Sequence, residues 1–592
     1  MSSSLKKSSS QDTLRGASTP DIAKADIYDE GVVDPVYAAK SHVLNRALQE
    51  IGMGKYQWGL FAVAGFGWFS DSVWPLLTSL ILSPVLLEFE FNGPFLSLAS
   101  NIGLLVGAIL WSFGCDIWGR KWSFNLTLFM ASIFGIASGG SPNFVALAAL
   151  VAVLGVGVGG NMPVDSAVFL DFVPASHQYL LTVLSIWWAI GQLVGSLVAW
   201  PLIANFSCPT DATPETCSRS QNMGWRYTVF TLGGLMLILS FVRLFAFKLF
   251  ESPRYLLGHG RDAEAVAVVR QIAEYNGLGS GDTESNRGRI SVEELNEAAK
   301  AVEDKMERQG KGGEVGEWRR WRVLSEESSW KMAHVRNLFG TRKMAWSTSL
   351  LIALWGIIGL ASTLYNSFLP YLLASRGAQF DDATYYTTYR NQVILSITGI
   401  PGAFLAGWAV ELPWFGRRGT LAISAGEYSS LLPSHHFTFL GPFLSYPLPS
   451  NVFLVLPSFT FLPFKFLLTL FLAAPAVLLH IPRLTGAFLF ASTTARSSNA
   501  LLGWNCGYAF NSNIMYGVLY AISPELFPAK DRGTGNGLVS TATRVFGVIA
   551  PIIALYANIN TPVPVYIAGA LIIAAGGMAL LLPFEPRGRA SI

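Results

Sequence analysis

The chain has 592 residues, 51% hydrophobic and 13% charged, with mean hydropathy +0.42 and a formal net charge of +3. A soluble domain carries about a quarter charged residues; half that, with apolar residues gathered in blocks, excludes an ordinary soluble fold and indicates a polytopic helical membrane protein embedded in a lipid bilayer. The small net charge argues against a nucleic-acid partner, and four cysteines (115, 208, 217 and 506) argue against a disulfide scaffold or a metal centre, so no metal and no cofactor are expected.

Residues 1–55 are Ser/Lys-rich and then Asp/Ala-rich without an apolar block, and are expected to form a disordered cytoplasmic tail ending in a short surface helix at Val43–Met53. No secretory signal precedes the first span, which must direct its own insertion. Six spans are predicted near 57–82, 94–114, 122–140, 144–170, 179–204 and 226–247, making a first bundle over 56–247. The loop after the fifth holds the sequon Asn205-Phe-Ser207, then Cys208 and Cys217. With a cytoplasmic N-terminus this loop lies outside, where Asn205 can be glycosylated and the two cysteines can either form a disulfide or stay free. A second sequon, at Asn125, lies within a span and is expected to be silent.

A polar segment, 248–344, is dense in Lys and Arg and is therefore cytoplasmic, with amphipathic helices expected near 261–275 and 291–308. Spans resume near 345–371, 390–410, 420–495 (interrupted), 499–522, 537–557 and 563–583, a second bundle over 345–585, followed by a cytoplasmic tail at 586–592. Twelve spans with both termini inside put Arg120/Lys121, Arg417/Arg418 and Lys530/Arg532 on the cytoplasmic side, as the positive-inside rule requires.

Residues 427–483 break this pattern. From Ser429 to Arg483, 37 of 55 residues are Phe, Leu, Pro or Ser, only Lys465 and Arg483 are charged, and no acid occurs. Those four residues are what pyrimidine-rich DNA encodes when read through. Ala425-Gly-Glu-Tyr428 can be encoded with a splice-donor sequence and Thr485-Gly486 with an acceptor. Retained, the segment splits one span and adds another apolar run, Val452–Leu479, which would invert the topology of everything after it. The segment is expected to be translated intron; a re-entrant or lipid-lying insertion is the alternative.

Two loops match across the halves: Gly114-Cys-Asp-Ile-Trp-Gly-Arg-Lys121, and Glu411 followed by Gly416-Arg417-Arg418-Gly419. Glu251-Ser-Pro-Arg254 follows span six, and Pro524-Glu-Leu-Phe-Pro528…Arg532-Gly follows span ten. With these four motifs in order, the chain from 50 to 585, apart from about 427–483, resembles the major facilitator superfamily, nearest its sugar-porter and synaptic-vesicle-protein-related branches. The resemblance implies an all-α fold of twelve transmembrane helices in two pseudo-symmetric six-helix bundles. It also implies an inner-side latch built from Asp116, Gly119, Arg120, Lys121, Asp171, Glu251, Arg254, Arg417, Glu525 and Arg532. One departure stands out: the front-half counterpart of Glu525…Pro528…Arg532 is Asp171-Phe-Val-Pro174 with Gln178 in the arginine position, so one cation of the symmetric network is missing.

An ionisable group inside a span is costly and marks function by default. Asp71 lies midway along span one beside Trp68, where it could load and release a proton or serve as a structural acid. Asp165, nearer the inner end of span four, is a second proton-coupling candidate, and Arg544 in span eleven could hold an anionic substrate, neutralise an acid or snorkel to the inner face. Helical spacing nominates polar stripes: Asn505, Tyr508, Ser512 and Tyr516; Ser185, Trp188 and Gln192; Ser362, Tyr365 and Asn366. Such stripes suit a polar cavity for a polyol-like solute, or bond helix to helix.

No Walker loop, zinc motif, nucleophile elbow or catalytic acid pair appears, so an enzyme is not expected. The sequence points to a monomeric, proton-coupled, alternating-access carrier of a small polar solute, sugar, polyol or organic anion, in the plasma membrane rather than an internal one. The alternative is a nutrient receptor that keeps the transporter fold without transporting.

Overall fold

Apolar blocks of about 20 residues become helices here because a backbone polar group left unpaired in lipid is costly and a helix pairs them all internally. The structure, a computed structural model, describes residues 35–209, 212, 216–278, 290–308, 333–373, 384–410, 416–425, 485–527, 532–556 and 561–583. Residues 427–483 and Glu411 lie outside the described residues.

The first half comprises α1 (Pro35–Ile51), α2 (Lys55–Leu80), α3 (Leu82–Phe89), α4 (Pro94–Ile117), α5 (Arg120–Gly139), α6 (Phe144–Val158), α7 (Asn161–Phe172), α8 (Leu180–Val183), α9 (Ser185–Phe206) and α10 (Gly224–Phe241), which runs into a π-helical turn at Val242–Ala246. The polar segment supplies α11 (Pro253–Gly258), α12 (Asp262–Tyr275), α13 (Val292–Arg308) and α14 (Ala333–Leu338). The second half comprises α15 (Arg342–Asn366), α16 (Tyr385–Ala409), α17 (Gly416–Ala425), α18 (Thr485–Thr493), α19 (Ser498–Glu525), α20 (Arg532–Tyr556) and α21 (Val563–Leu580). Among the described residues ten stretches are long and apolar enough to cross a membrane. The polar-striped α19 has the length to do so as well, at 28 residues.

We call the end carrying α1 and α11–α13 the inner end. The halves meet along two seams, α4 against α20 and α9 against α16. Ser196 and Ser396 hydroxyls lie 3.0 Å apart across the second seam. Within the first half, Gly103 and Gly107 of α4 face Gly155 and Gly159 of the α6 span. A Cβ on Gly107 would come within 2.2 Å of the Val156 carbonyl, and one on Gly159 within 2.2 Å of the Leu104 carbonyl. Small residues four apart on both helices let the backbones touch, the small-xxx-small crossing of membrane helices. The glycine run Gly155-Val-Gly-Val-Gly-Gly160 both permits this close packing and weakens the helix, since the span breaks at Gly159-Gly160 between α6 and α7.

The amino-terminal helix corrects an expectation. It starts at Pro35 and is no surface helix: Tyr37, Leu44 and Leu48 are buried, and it packs on α11 and α13. Its polar face carries Lys40, paired with Asp262, and Arg46, 2.6 Å from Glu294. At the opposite end Cys208 and Cys217 are joined as a disulfide with Cα atoms 5.9 Å apart, and Asn205 is exposed, donating to the Pro201 carbonyl at 2.8 Å.

Candidate functional site

A cavity of about 150 Å³ lies between the halves. The outer parts of α2 and α4 line it with Ser72, Ser79, Ser97, Ser100 and Asn101; α9 adds Trp188 and Gln192, and the second half adds Asn366, Gln392, Tyr516, Tyr520, Thr543 and Arg544. A smaller cavity of about 20 Å³ sits towards the inner end, lined by Ser166, Ser523, Asn536 and Ser540. Tyr520 and Arg544 line both cavities and form the partition between them.

The partition is built from both halves. Arg544 Nη2 of α20 lies 3.3 and 3.4 Å from the two carboxylate oxygens of Asp71 on α2. Asp71 is almost wholly buried, while the Arg544 side chain keeps 14% exposure into the cavity and its Nε has no partner among the described residues. Tyr520 is wedged between Trp68 of the first half (ring centroids 5.1 Å) and Trp355 of the second (4.4 Å), with Tyr516 and Trp188 above it. Trp68 is thus a buried support of the floor and does not line the cavity.

The other nominated residues divide. Trp188, Gln192, Asn366 and Tyr516 face the cavity. Tyr365, Asn505, Tyr508 and Ser512 do not line it. The Tyr365 hydroxyl donates to Asn505 Oδ1 and the Tyr508 hydroxyl to Asn366 Oδ1 at 3.1 Å, bonds that tie α15 to α19. Inter-helix bonding, the other reading of those stripes, describes Tyr365, Asn505 and Tyr508. The outer polar patch of Ser97, Ser100 and Asn101 and the amide of Gln392 were missed, although a polar cluster at i, i+3 and i+4 near a span's outer end is a visible signal.

Asp165 is buried and paired with Arg243 of the π-helical turn, a cation the sequence reading passed over. The Arg243 guanidinium lies 3.2 Å over the Phe124 ring. The pair packs against Gly67 of α2, one turn before Asp71, where a Cβ would collide with the Asp165 carboxylate.

At the inner end Asp171 is the hub. Arg120 of its own half pairs with it, and Arg532 of the other half reaches it at 3.7 Å. Asp171 thus draws a cation from each half, one within its own bundle and one across the gap. Arg417 pairs with Glu525 inside the second half. Glu251 accepts from the Arg120 backbone N–H at 3.1 Å, and Gly119, at φ +94°, leaves no room for a Cβ, which would fall 2.9 Å from Glu251 Oε2. Gly416 repeats the positive φ before the second basic pair, Arg417-Arg418. Arg254 donates to the Leu170 carbonyl and to Asn45 Oδ1 at 2.7 Å; burial pushes it down to about 10, still cationic at neutral pH. Lys121 is exposed, and the Asp116 side chain lies outside the described residues.

Comparison with known proteins places this geometry. The profile of the family described as "Sugar (and other) transporter" matches residues 92–429. The chain is 62% identical over 567 residues to "MFS siderochrome iron transporter 1" of Ceriporiopsis subvermispora, covering 96% of this chain and 94% of the relative. It is 37% identical over 590 residues to "Major facilitator-type transporter hxnZ" of Emericella nidulans, covering 97% and 93%. The solved structure of the proton:xylose symporter XylE superposes with a TM-score of 0.59 at 15% identity, over 90% of this chain and 98% of that one, which establishes a shared fold. Paired helical bundles, a cavity between them and the family profile agree: the chain is a multi-pass membrane transporter, not an enzyme, and belongs to the sugar (and other) transporter family of the major facilitator superfamily.

Proposed function

We propose that this protein is a proton-coupled, secondary active carrier of a small polar organic anion, working by alternating access. The observation that carries the reading is the Asp71–Arg544 pair: it joins the halves at the floor of a polar cavity and leaves part of the guanidinium facing that cavity. A cation so placed recognises an anion, and an acid beside it gives a proton somewhere to reside. The hydroxyls and amides around it suit the polar remainder of the solute, and Trp188, Tyr516 and Tyr520 offer ring faces to its C–H groups. A cavity of about 150 Å³ is smaller than the ~300–1,000 Å³ sites that take drug-sized ligands. It suits a single-ring solute better than a multidentate iron chelate, whatever the 62%-identical relative carries. The disulfide and exposed Asn205 fit an outer end turned to an oxidising compartment.

The test is uptake into proteoliposomes after an external acid jump, against protein-free vesicles, with quinate, nicotinate, myo-inositol, inorganic phosphate and a ferric trihydroxamate. The reading expects a ring carboxylate to be concentrated. Uptake of the trihydroxamate or of inositol with no carboxylate uptake contradicts it.

A further inference from the structure

We infer that Asp71 and the carboxylate of the substrate take turns on Arg544, so that the carrier moves one proton with each monocarboxylate and no net charge. The inference rests on the carrier reading above and adds its substrate class and stoichiometry. Arg544 is paired with Asp71. Arg544 Nε and the side-chain Oε1 of Gln392, both on cavity-lining residues, have no partner among the described residues. A carboxylate entering from the outer side meets the exposed part of the guanidinium. If both acids stayed ionised, one cation would face two anions on the low-dielectric floor. That excess charge is removed when hydronium gives its proton to Asp71: an O–H bond forms on the Asp71 carboxyl, water leaves, and Arg544 transfers its ion pair to the substrate.

The other charged and titratable groups around Asp71 do not change this balance. Asp165 on α7 is paired with Arg243 of the π-helical turn, Tyr516 and Tyr520 on α19 bring only phenol hydroxyls, and α9 carries no titratable side chain. Substrate brings one negative charge and the proton one positive, so the loaded and empty partitions carry the same net charge. Because Asp71 and Arg544 sit on opposite halves, exchanging their bond for one between Arg544 and substrate also unties the halves at their centre.

The experiment uses the full chain in proteoliposomes with labelled quinate as probe. A pH gradient alone should concentrate quinate about tenfold per pH unit, the ratio one coupled proton supports. A valinomycin-clamped potassium potential at equal pH should change accumulation by less than about twofold. Arg544→Gln should raise the KM for quinate at least about tenfold, with Arg544→Lys between it and wild type. Accumulation driven by the potential, or transport of myo-inositol matching quinate, overturns this inference while leaving the carrier reading intact; absence of uptake with every solute above overturns the carrier reading.

A separate observation concerns the broken span. We infer that α17 and α18 are one helix and that residues 427–483 are not part of the working protein. The Thr485 hydroxyl donates to the Ser424 carbonyl. If Gly426 were followed directly by Leu484, Thr485 would stand four residues after Ser424. This bond would then be the ordinary i to i−4 back-bond of a helical threonine, as Thr420 makes to the Gly416 carbonyl. Both short helices lie along α21. Arg418 donates to the Leu580 carbonyl, Gly486 packs on the Gly569 backbone, and Phe490 stacks on Tyr566. With the direct join Arg418 and Phe490 are fifteen positions apart, against fourteen for Leu580 and Tyr566, the register of two straight antiparallel helices. The joined helix, ten residues plus nine plus Gly426 and Leu484, is about 31 Å long, the thickness of the hydrocarbon core. The family profile also ends at residue 429, beside this seam.

Sequencing the mature transcript should show Gly426 joined to Leu484 as the dominant form, and a chain lacking 427–483 should concentrate quinate at least as well as the full chain. A dominant transcript that keeps the segment, or loss of accumulation on its deletion when the full chain is active, overturns the inference.

Discussion

Asp71→Asn is expected to abolish uphill accumulation while exchange of substrate across the membrane continues. Asparagine has the shape of the protonated acid and none of its chemistry, so the substituted carrier holds the loaded form of the floor permanently. Arg544, freed of its partner 3.3 Å away, remains available to substrate. The accumulation ratio should fall from about tenfold per pH unit to the equilibrium distribution. The substitution leaves a neutral group where a buried carboxylate stood, so Arg544 becomes the uncompensated charge; its 14% exposure into the cavity lets water or substrate take up that cost. Uptake against a gradient, measured beside counterflow in the same vesicles, decides the matter. A mutant that still concentrates substrate removes Asp71 from the coupling step.

The second large effect is expected at the inner end. Arg532→Ala should shift the population towards the inward-open state, because Arg532 is the cation that reaches across the gap to Asp171. Asp171 retains Arg120 within its own half, so the loss should resemble that of one charged interaction, about 1.5–3 kcal/mol, rather than an orphaned buried acid at about 3–5 kcal/mol. That corresponds to roughly a tenfold to hundredfold change in the ratio of states. Arg120→Ala should cost more in folding, since Arg120 lies wholly within the first half and supports Asp171 from its own bundle. Labelling of cysteines placed at Ser166 and Asn536, which line the inner cavity, reads the shift. Equal labelling of wild type and Arg532→Ala contradicts the latch.

The inner-end charge cluster was legible because its parts are local: a glycine before each basic pair, an acid four or six residues before its arginine, a Pro-Glu pair before Arg532. What the sequence could not supply was the pairing. Asp71 and Arg544 each stood out as an ion inside a span, but 473 positions separate them, and only the α2, α7 and α20 packing brings them together. Arg243 went unnoticed because a cation near a span end reads as topogenic; the π-helical turn instead carries it inward to Asp165. The stripe on α19 was visible as a stripe, yet helical spacing alone does not say which neighbour it faces: Tyr516 turns to the cavity, whereas Asn505 and Tyr508 turn to α15. The α1 helix was misjudged because its apolar face is thin in sequence and meets α11 and α13 from more than 200 positions away.

Transport requires solute to cross the partition formed by Tyr520 and Arg544, whereas a receptor binds it above that partition and stops there. Counterflow tests this most directly. Proteoliposomes loaded with unlabelled quinate and diluted into a trace of labelled quinate at equal pH, with protein-free vesicles as baseline, should show a transient overshoot of label inside. Quinate binding to the purified protein without any overshoot would contradict the account and leave a receptor with a transporter's fold.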